Sequence, residues 1–153
     1  LFPNELRISR SLRKRIRQTP FEVTLNKAFD PVIEACSGPR RGEEGTWITD
    51  TMKQAYRRLH QLGHAHSVEC WSGDQLVGGL YGVQLGTLFC GESMFSRSND
   101  ASKIALVSLI QQFKIEIELI DIQMMTPHME KLGARQIERS EFIRLISQIT
   151  QHS

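Results

Sequence analysis

Two polar side chains, Asp121 and Gln123, alternate with isoleucines in residues 120–123. In a β-strand, side chains two residues apart project from the same face, so Asp121 and Gln123 would project together. Polar groups that leave a core strand side by side need hydrogen-bonding partners, or they form a site. The pattern therefore predicts either a functional carboxylate–amide pair or a strand end whose polar face is solvated.

Residues 86–96, GTLFCGESMFS, place a glutamate inside an apolar strand. Glu92 follows Gly91, and a glycine there favours a β-bulge or a close approach of another backbone. In a regular strand Phe89 and Glu92 would point to opposite faces, whereas a bulge at Gly91 would let both line one pocket. The alternative is an edge strand whose glutamate faces water.

The remaining reactive side chains form weaker patterns. His60, His64 and His66 are close in sequence, but neither Glu69 nor Cys70 completes a known metal-binding spacing, so we expect hydrogen-bonded histidines and no metal site. The three cysteines form no CxxC pair, which favours free, packed thiols in a reducing cytosol. The sequence contains no P-loop, GxSxG, HExxH or dinucleotide-binding pattern.

Basic residues are concentrated at the start of the chain. Residues 1–17 sum to +5 and the other 136 residues to −3, within a net charge of +2. On a predicted helix, Arg10, Lys14 and Arg17 have the spacing i, i+4, i+7 and share one face. Such a block predicts a docking patch for a polyanion, or else a solvated terminal helix. Trp47 could stack on a nucleotide base, the alternative being a buried structural tryptophan.

Hydrophobic periodicity and capping residues predict the elements that carry these side chains. We expect helices over 9–18, 28–36, 51–62, 101–114, 128–132 and 140–151, the fourth capped by Asn99 or Asp100, the last with Ile143 facing inward. We expect strands over 21–25, 66–71, 76–83, 87–95 and 118–123, and a last one over 135–138. Short turns join 66–71, 76–83 and 87–95 into an antiparallel meander.

This order predicts an α+β fold: a central mixed, largely antiparallel sheet with helices on both faces, similar to the GNAT acyltransferase arrangement. With 153 residues, the chain is long enough for one domain with a substantial core. No apolar run approaches the roughly 20 residues of a membrane span, so we expect no membrane partner.

Several runs together resemble the leucyl/phenylalanyl-tRNA–protein transferase family. They are ISRS at 8–11, EEGTWIT at 43–49, HQLGHAHS at 60–67, LVGGLYG at 76–82, GTLFCGESMFSR at 86–97, DIQ at 121–123, His128 and LGA at 132–134. They cover almost the whole chain in order, and 86–97 is the most specific. The resemblance implies a monomeric, cytoplasmic bacterial enzyme of the N-degron pathway of protein degradation. Its substrates would be Leu-, Phe- or Met-tRNA and proteins or peptides with an N-terminal Arg or Lys.

The resemblance also assigns roles to individual residues. Asp121 and Gln123 correspond to the pair that assists catalysis. Arg10, Lys14 and Arg17 correspond to the helix that holds tRNA, and Trp47 to an aromatic residue near the tRNA 3′ end. The walls of the pocket for the amino-acid side chain correspond to Leu80, Phe89, Leu106, Leu109 and Ile120, with Glu92 a polar group buried beside it.

The chemistry implied by this resemblance requires no cofactor, metal or covalent intermediate. The donor is an activated ester, and the attacking α-amine has a reference pKa of about 7.7–8.0, so a useful fraction is neutral near pH 7. The Gln123 carbonyl can accept a hydrogen bond from the amine and aim it, while Asp121 supports it electrostatically. Members of the family carry a smaller domain before Leu1 and a short tail after Ser153, so we expect residues 1–153 to be a single GNAT-like aminoacyltransferase domain.

Two other functions are compatible with parts of the sequence. An acyl-CoA-dependent GNAT acyltransferase would share the fold, but residues 96–100 lack the glycine-rich loop that cradles the phosphates of CoA in that family. A non-catalytic tRNA-binding fragment would need only the basic helix.

Overall fold

A computed structural model of the chain describes residues 1–18, 21–37, 49–113, 115–122 and 126–150. The helices are α1 (Arg10–Gln18), α2 (Phe29–Cys36), α3 (Asp50–Gln61), α4 (Ala101–Gln111), α5 (Pro127–Lys131) and α6 (Arg139–Thr150). The strands are β1 (Glu22–Leu25), β2 (Ala65–Ser72), β3 (Gln75–Leu85), β4 (Leu88–Ser96) and β5 (Leu119–Asp121). A 3-10 turn, Pro3–Glu5, precedes α1.

The five strands form one sheet in the order β1-β2-β3-β4-β5. The first four strands pair antiparallel, and two-residue turns join β2 to β3 and β3 to β4. The last strand, β5, pairs with β4 in parallel, with Phe89 opposite Ile120 and Cys90 opposite Asp121. The predicted α+β fold with a mixed, largely antiparallel sheet is confirmed, including the central meander.

Helices cover both faces of the sheet. Helix α4 packs across β1 to β4 on one face, where Val68, Leu80 and Phe89 are buried with Ile104. Helices α2 and α3 cover β2 and β3 on the other face, where Tyr81 is buried with Phe29. Helix α6 packs against β4. Since side chains alternate along a strand, β2, β3 and β4 supply residues to both cores.

Capping groups define the helix ends that the sequence predicted. The Thr49 hydroxyl accepts a 3.2 Å hydrogen bond from the Met52 N–H at the start of α3, and Gly63 follows its end at φ +84°. The Ser9 hydroxyl accepts a 3.2 Å hydrogen bond from the Leu12 N–H at the start of α1. Local sequence therefore sets these boundaries.

Four local predictions were wrong. Helix α4 ends at Gln111, not 114, and Asp100 gives it no side-chain cap. With φ +65°, Asp100 instead forms ion pairs with Lys103 and Arg15.

Residues 135–138 form no strand, because Leu1 already pairs with the outer edge of β5. The Leu1 nitrogen donates a hydrogen bond to the Ile120 carbonyl, which lies 2.7 Å away, and the Leu1 carbonyl accepts one from the Ile120 N–H. Ile143 of α6 is 53% exposed and does not face inward.

None of the helices in the described ranges is long and apolar enough to cross a bilayer. Within the same ranges, no group of three or more His, Cys, Asp or Glu side chains is arranged to hold a metal ion.

Candidate active site

A β-bulge lies in the middle of β4. On β3, Tyr81 is opposite Ser93 and its neighbour Gly82 is opposite Gly91, so Glu92 is one extra residue on β4. The bulge predicted at Gly91 is therefore confirmed. The Glu92 carboxylate accepts a 3.1 Å hydrogen bond from the Tyr56 hydroxyl of α3. Glu92 consequently faces α3.

Phe89 lies on the other face of the sheet. It is 1% exposed and belongs to the core beneath α4, where its ring packs against the backbone of Gly82. The bulge keeps Glu92 on the face of Tyr56 and Tyr81, where the rings of those two tyrosines meet edge to face at 5.3 Å. The expectation that the bulge lets Phe89 and Glu92 line one pocket is wrong, because the extra residue turns toward α3.

The five residues assigned to the walls of an amino-acid pocket do come together. They belong to one buried apolar cluster between α4 and the sheet, and each is at most 3% exposed: Leu80, Phe89, Leu106, Leu109 and Ile120. Four of the five come from β3, β4 and α4, and Ile120 comes from β5. Ile120 also lines an open cavity beside β5.

This cavity, of about 380 Å³, lies beside the end of β5. Asp121 lines it together with Leu1, Phe2, Arg135 and Phe142, among others. Ile120 and Asp121 are consecutive, so the strand presents an apolar side chain to the core and a carboxylate to the cavity. Gln123 and Trp47 lie outside the described residues.

One thiol and two phenol groups on the α3 side of the sheet have raised pKa values and are therefore protonated at neutral pH. Burial, together with the charges of Asp121 and Glu92, raises the pKa of the Cys90 thiol to about 11. Burial and the neighbouring Glu92 raise the pKa of Tyr56 to about 12. Burial also raises the pKa of Tyr81, whose hydroxyl has no hydrogen-bond partner within the structure as described. A thiol with a raised pKa is a poor nucleophile, so burial makes Cys90 unreactive at neutral pH.

The basic face predicted on the first helix is present. Leu12 is buried and anchors α1, while Arg10, Lys14 and Arg17 are exposed. None of these three cations forms an ion pair with a described residue, whereas Arg15 on the inner side contacts Asp100 at 3.9 Å. Their shared exposed face leaves the charges available to a partner.

Two of the three neighbouring histidines are held by hydrogen bonds, as predicted. Nδ1 of His60 lies 2.9 Å from the Ala65 carbonyl, and its ring stacks on Phe29 at 4.2 Å. His66 bridges Asn26 and Gln84, each at 2.9 Å. Burial lowers the pKa of His66, consistent with a neutral ring.

Three notable residues were missed by sequence reasoning. Tyr56 orients Glu92, and Arg135 enters the cavity beside Asp121. Glu69 is fully buried and accepts hydrogen bonds from the Thr24 hydroxyl, the Lys27 N–H and the Ser67 hydroxyl. Only Tyr56 had a usable signal, since it shares a helix face with Met52 and Leu59 and must point toward the sheet.

The fold and the site define an α+β domain in which Asp121 lines an open cavity directly after Ile120 of the apolar cluster. A family model described as leucyl/phenylalanyl-tRNA protein transferase matches residues 1–147. The chain belongs to this family.

Two relatives illustrate the similarity. A leucyl/phenylalanyl-tRNA–protein transferase of Shewanella baltica (strain OS155 / ATCC BAA-1091) is 50% identical over 148 residues, which are 96% of this chain and 62% of the relative. A protein of the same name from Stutzerimonas stutzeri (strain A1501) is 54% identical over 148 residues, 96% of this chain and 66% of the relative. The chain thus spans somewhat less than two thirds of the length of these relatives.

Proposed function

We propose that residues 1–153 form the single, GNAT-like aminoacyltransferase domain of an enzyme that moves Leu, Phe or Met from aminoacyl-tRNA to an N-terminal Arg or Lys of acceptor proteins. The observation that carries this proposal is the position of Asp121 at the cavity, directly after Ile120 in the apolar cluster. A donor ester held at the end of β5 would have apolar contacts on one side and a carboxylate on the other.

The reaction follows from these groups. The acceptor's neutral α-amine attacks the ester carbonyl carbon, the bond to the ribose oxygen breaks, and one amine proton finally resides on that ribose oxygen. Holding the two reactants in line can supply roughly 7–11 kcal/mol of the barrier reduction. Gln123 accepts a hydrogen bond from the amine and aims it, and Asp121 stabilises the positive charge that develops on nitrogen. The raised pKa of Cys90 supports direct transfer without an acyl-enzyme.

The apolar cluster would select the donor. Leu80, Phe89, Leu106, Leu109 and Ile120 provide only apolar contacts, and the side chain would reach them at Ile120, the member that also lines the cavity. Leu, Phe and Met are unbranched at the β-carbon, whereas Ile and Val would clash there. Discrimination among apolar side chains should be modest, about 1–3 kcal/mol per methylene. Glu92 would lie beside this pocket, behind β4.

The basic face of α1 would hold the tRNA. Arg10, Lys14 and Arg17 are exposed and would bind phosphates without reading sequence, and Trp47 would stack near the 3′ end. The reaction would take place in the cytoplasm, where the added residue marks the acceptor for degradation through the N-degron pathway. We expect the enzyme to act as a monomer.

A transfer assay with charged tRNA and an Arg-starting peptide tests the proposal. We expect Asp121→Asn and Gln123→Ala to lower turnover on the order of 100-fold while tRNA affinity stays constant. The control is Asp74→Asn, which removes an exposed carboxylate in the turn between β2 and β3. An inactive wild-type protein that binds tRNA would indicate a non-catalytic module. A thermal shift with acyl-CoA but not with charged tRNA would indicate an acyl-CoA-dependent enzyme.

A further inference from the structure

Two arginine side chains line the cavity beside the end of β5. The guanidinium of Arg135 donates hydrogen bonds to both Glu5 oxygens, at 2.8 and 3.3 Å, and lies 4.9 Å from the centre of the Phe2 ring. Arg139, at the start of α6, also lines the cavity, is exposed and forms no ion pair with any residue in the described ranges. The cavity is therefore lined by two cations as well as by the carboxylate of Asp121.

The ion pair between Glu5 and Arg135 should contribute little to the stability of the fold. Half of the Arg135 side chain and 41% of the Glu5 side chain are exposed to solvent. Exposed pairs of this kind contribute little to stability, because water screens the charges and two flexible side chains are immobilised. A carboxylate from another molecule could replace Glu5 at little cost.

We propose that this cavity receives the first residues of the acceptor protein, and that Arg135 and Arg139 favour acceptors with an acidic residue at the second or third position. The inference rests on the proposed function, which brings the acceptor's α-amine to Asp121. A volume of about 380 Å³ is within the range of ligand sites, and an extended peptide whose α-amine lies at Asp121 advances roughly 3.3 Å per residue along the cavity.

The charges favour a peptide over the tRNA as the occupant. A polyanion entering the cavity would meet the carboxylate of Asp121 and, beside Arg135, that of Glu5. An acceptor segment with an N-terminal Arg or Lys and a nearby acidic side chain carries both signs of charge, as the cavity does. Phe2, Ile137 and Phe142 add apolar contacts to the cavity lining.

Substitutions of Arg135 and of Glu5 should change the preference for acidic acceptors in opposite directions. Arg135→Gln removes the cation that attracts the acceptor's acid, whereas Glu5→Gln removes the carboxylate that competes for it. A purely structural role predicts the same effect for both variants, since each breaks the same pair. The matched control is Arg144→Gln, an exposed arginine of α6 that does not line the cavity.

The test uses labelled peptides beginning Arg-Asp, Arg-Gln or Arg-Lys, with binding measured by fluorescence anisotropy and transfer measured with Phe-tRNA. For the full chain we expect the Arg-Asp peptide to bind about threefold more tightly than Arg-Lys, the size typical of one half-exposed charge pair. Arg135→Gln should bring this ratio toward one, Glu5→Gln should increase it, and Arg144→Gln should leave it unchanged.

The experiment distinguishes a failure of the cavity assignment from a failure of the proposed function. Equal binding ratios in all four proteins, or a preference for Arg-Lys, would overturn the assignment of the cavity even if transfer to Arg-Gln is normal. Absence of transfer to every peptide, with the binding ratios as expected, would overturn the proposed function and leave the cavity assignment intact. A loss of tRNA affinity in Arg135→Gln without a change in peptide ratios would assign the cavity to tRNA instead.

Discussion

The hydroxyl of Tyr56 donates a 3.1 Å hydrogen bond to Glu92, and this contact ties α3 to the one extra residue of β4. The bond connects a helix to a bulge, where the ladder of backbone hydrogen bonds is locally interrupted. It also places a phenol beside a carboxylate, which disfavours ionisation of the phenol.

This contact predicts an unusual tyrosine titration. The chain has only Tyr56 and Tyr81, and the pKa of both is raised, that of Tyr56 to about 12. Because the folded-state pKa exceeds the usual 10.0, the contribution of Tyr56 to stability is complete below pH 10 and declines as the pH rises toward 12. We expect the phenolate absorbance of the folded protein to stay low at pH 10 and the denatured protein to titrate near 10. In Tyr56→Phe the step near pH 12 should disappear. A folded-state step near pH 10 would contradict this account.

Charge reversal on α1 should weaken tRNA binding and its salt dependence together. In the double variant Lys14→Glu/Arg17→Glu, each lost phosphate contact should reduce the slope of log affinity against log salt by roughly 0.7–0.9. Stability should change by less than about 0.5 kcal/mol, since both side chains are exposed. Filter binding at several salt concentrations measures the slope, and the double variant Arg58→Glu/Arg144→Glu, at two exposed arginines of α3 and α6, controls for the same change in net charge. Unchanged affinity in the double variant would remove α1 from the tRNA site.

A methyl group at Gly82 should disturb the core under α4. A Cβ atom there would overlap with the Cys90 carbonyl oxygen and lie 2.6 Å from the Phe89 ring, closer than atoms can approach without movement. We expect Gly82→Ala to lower the free energy of unfolding by about 1–3 kcal/mol. Gly91→Ala is the matched control, because among the described residues its Cβ would meet the Asp121 carbonyl oxygen alone, at an ordinary 3.4 Å. Equal urea midpoints for the two variants would show that β3 and β4 can separate more easily than the packing suggests.

Glu69 should matter for stability despite its distance in sequence from its partners. Its fully buried carboxylate accepts from Thr24 at 2.7 Å and from the Lys27 N–H at 3.0 Å, which fixes the turn between β1 and α2. An amide offers one fewer acceptor oxygen, so Glu69→Gln should cost about 1–3 kcal/mol. Chemical denaturation measures this loss against Glu22→Gln, which changes an exposed glutamate on β1. A loss no larger than that of the control would mean that the buried hydrogen bonds reorganise.

Local features of the chain explain which parts of the fold were predictable. The meander follows from alternating residues around short turns, and both turns contain a glycine with positive φ, Gly73 and Gly86. The ends of α1 and α3 follow from the capping hydroxyls of Ser9 and Thr49. In these cases the determining contacts lie within a few residues.

The remaining features depend on pairings between distant segments. The direction of Glu92 is set by the register between β3 and β4 and by Tyr56, 36 residues away. Residues 135–138 alternate like a strand, but the edge that they would join is occupied by Leu1. The contact of Arg135 with Glu5 spans 130 residues. Sequence patterns identified Asp121 as a candidate, but not the two arginines that line the same cavity.

The parallel pairing of β4 with β5 has a consequence for how the molecule folds. Two-residue turns join β2 to β3 and β3 to β4. These strands can pair quickly, because closing such short loops costs little conformational entropy. Strand β5 must wait for the crossover through α4, since a parallel partner cannot be reached by a tight turn. Asp121 should therefore reach its final place late in folding, after β4 has paired with β3 and both Phe89 and Glu92 are already on their separate faces of the sheet.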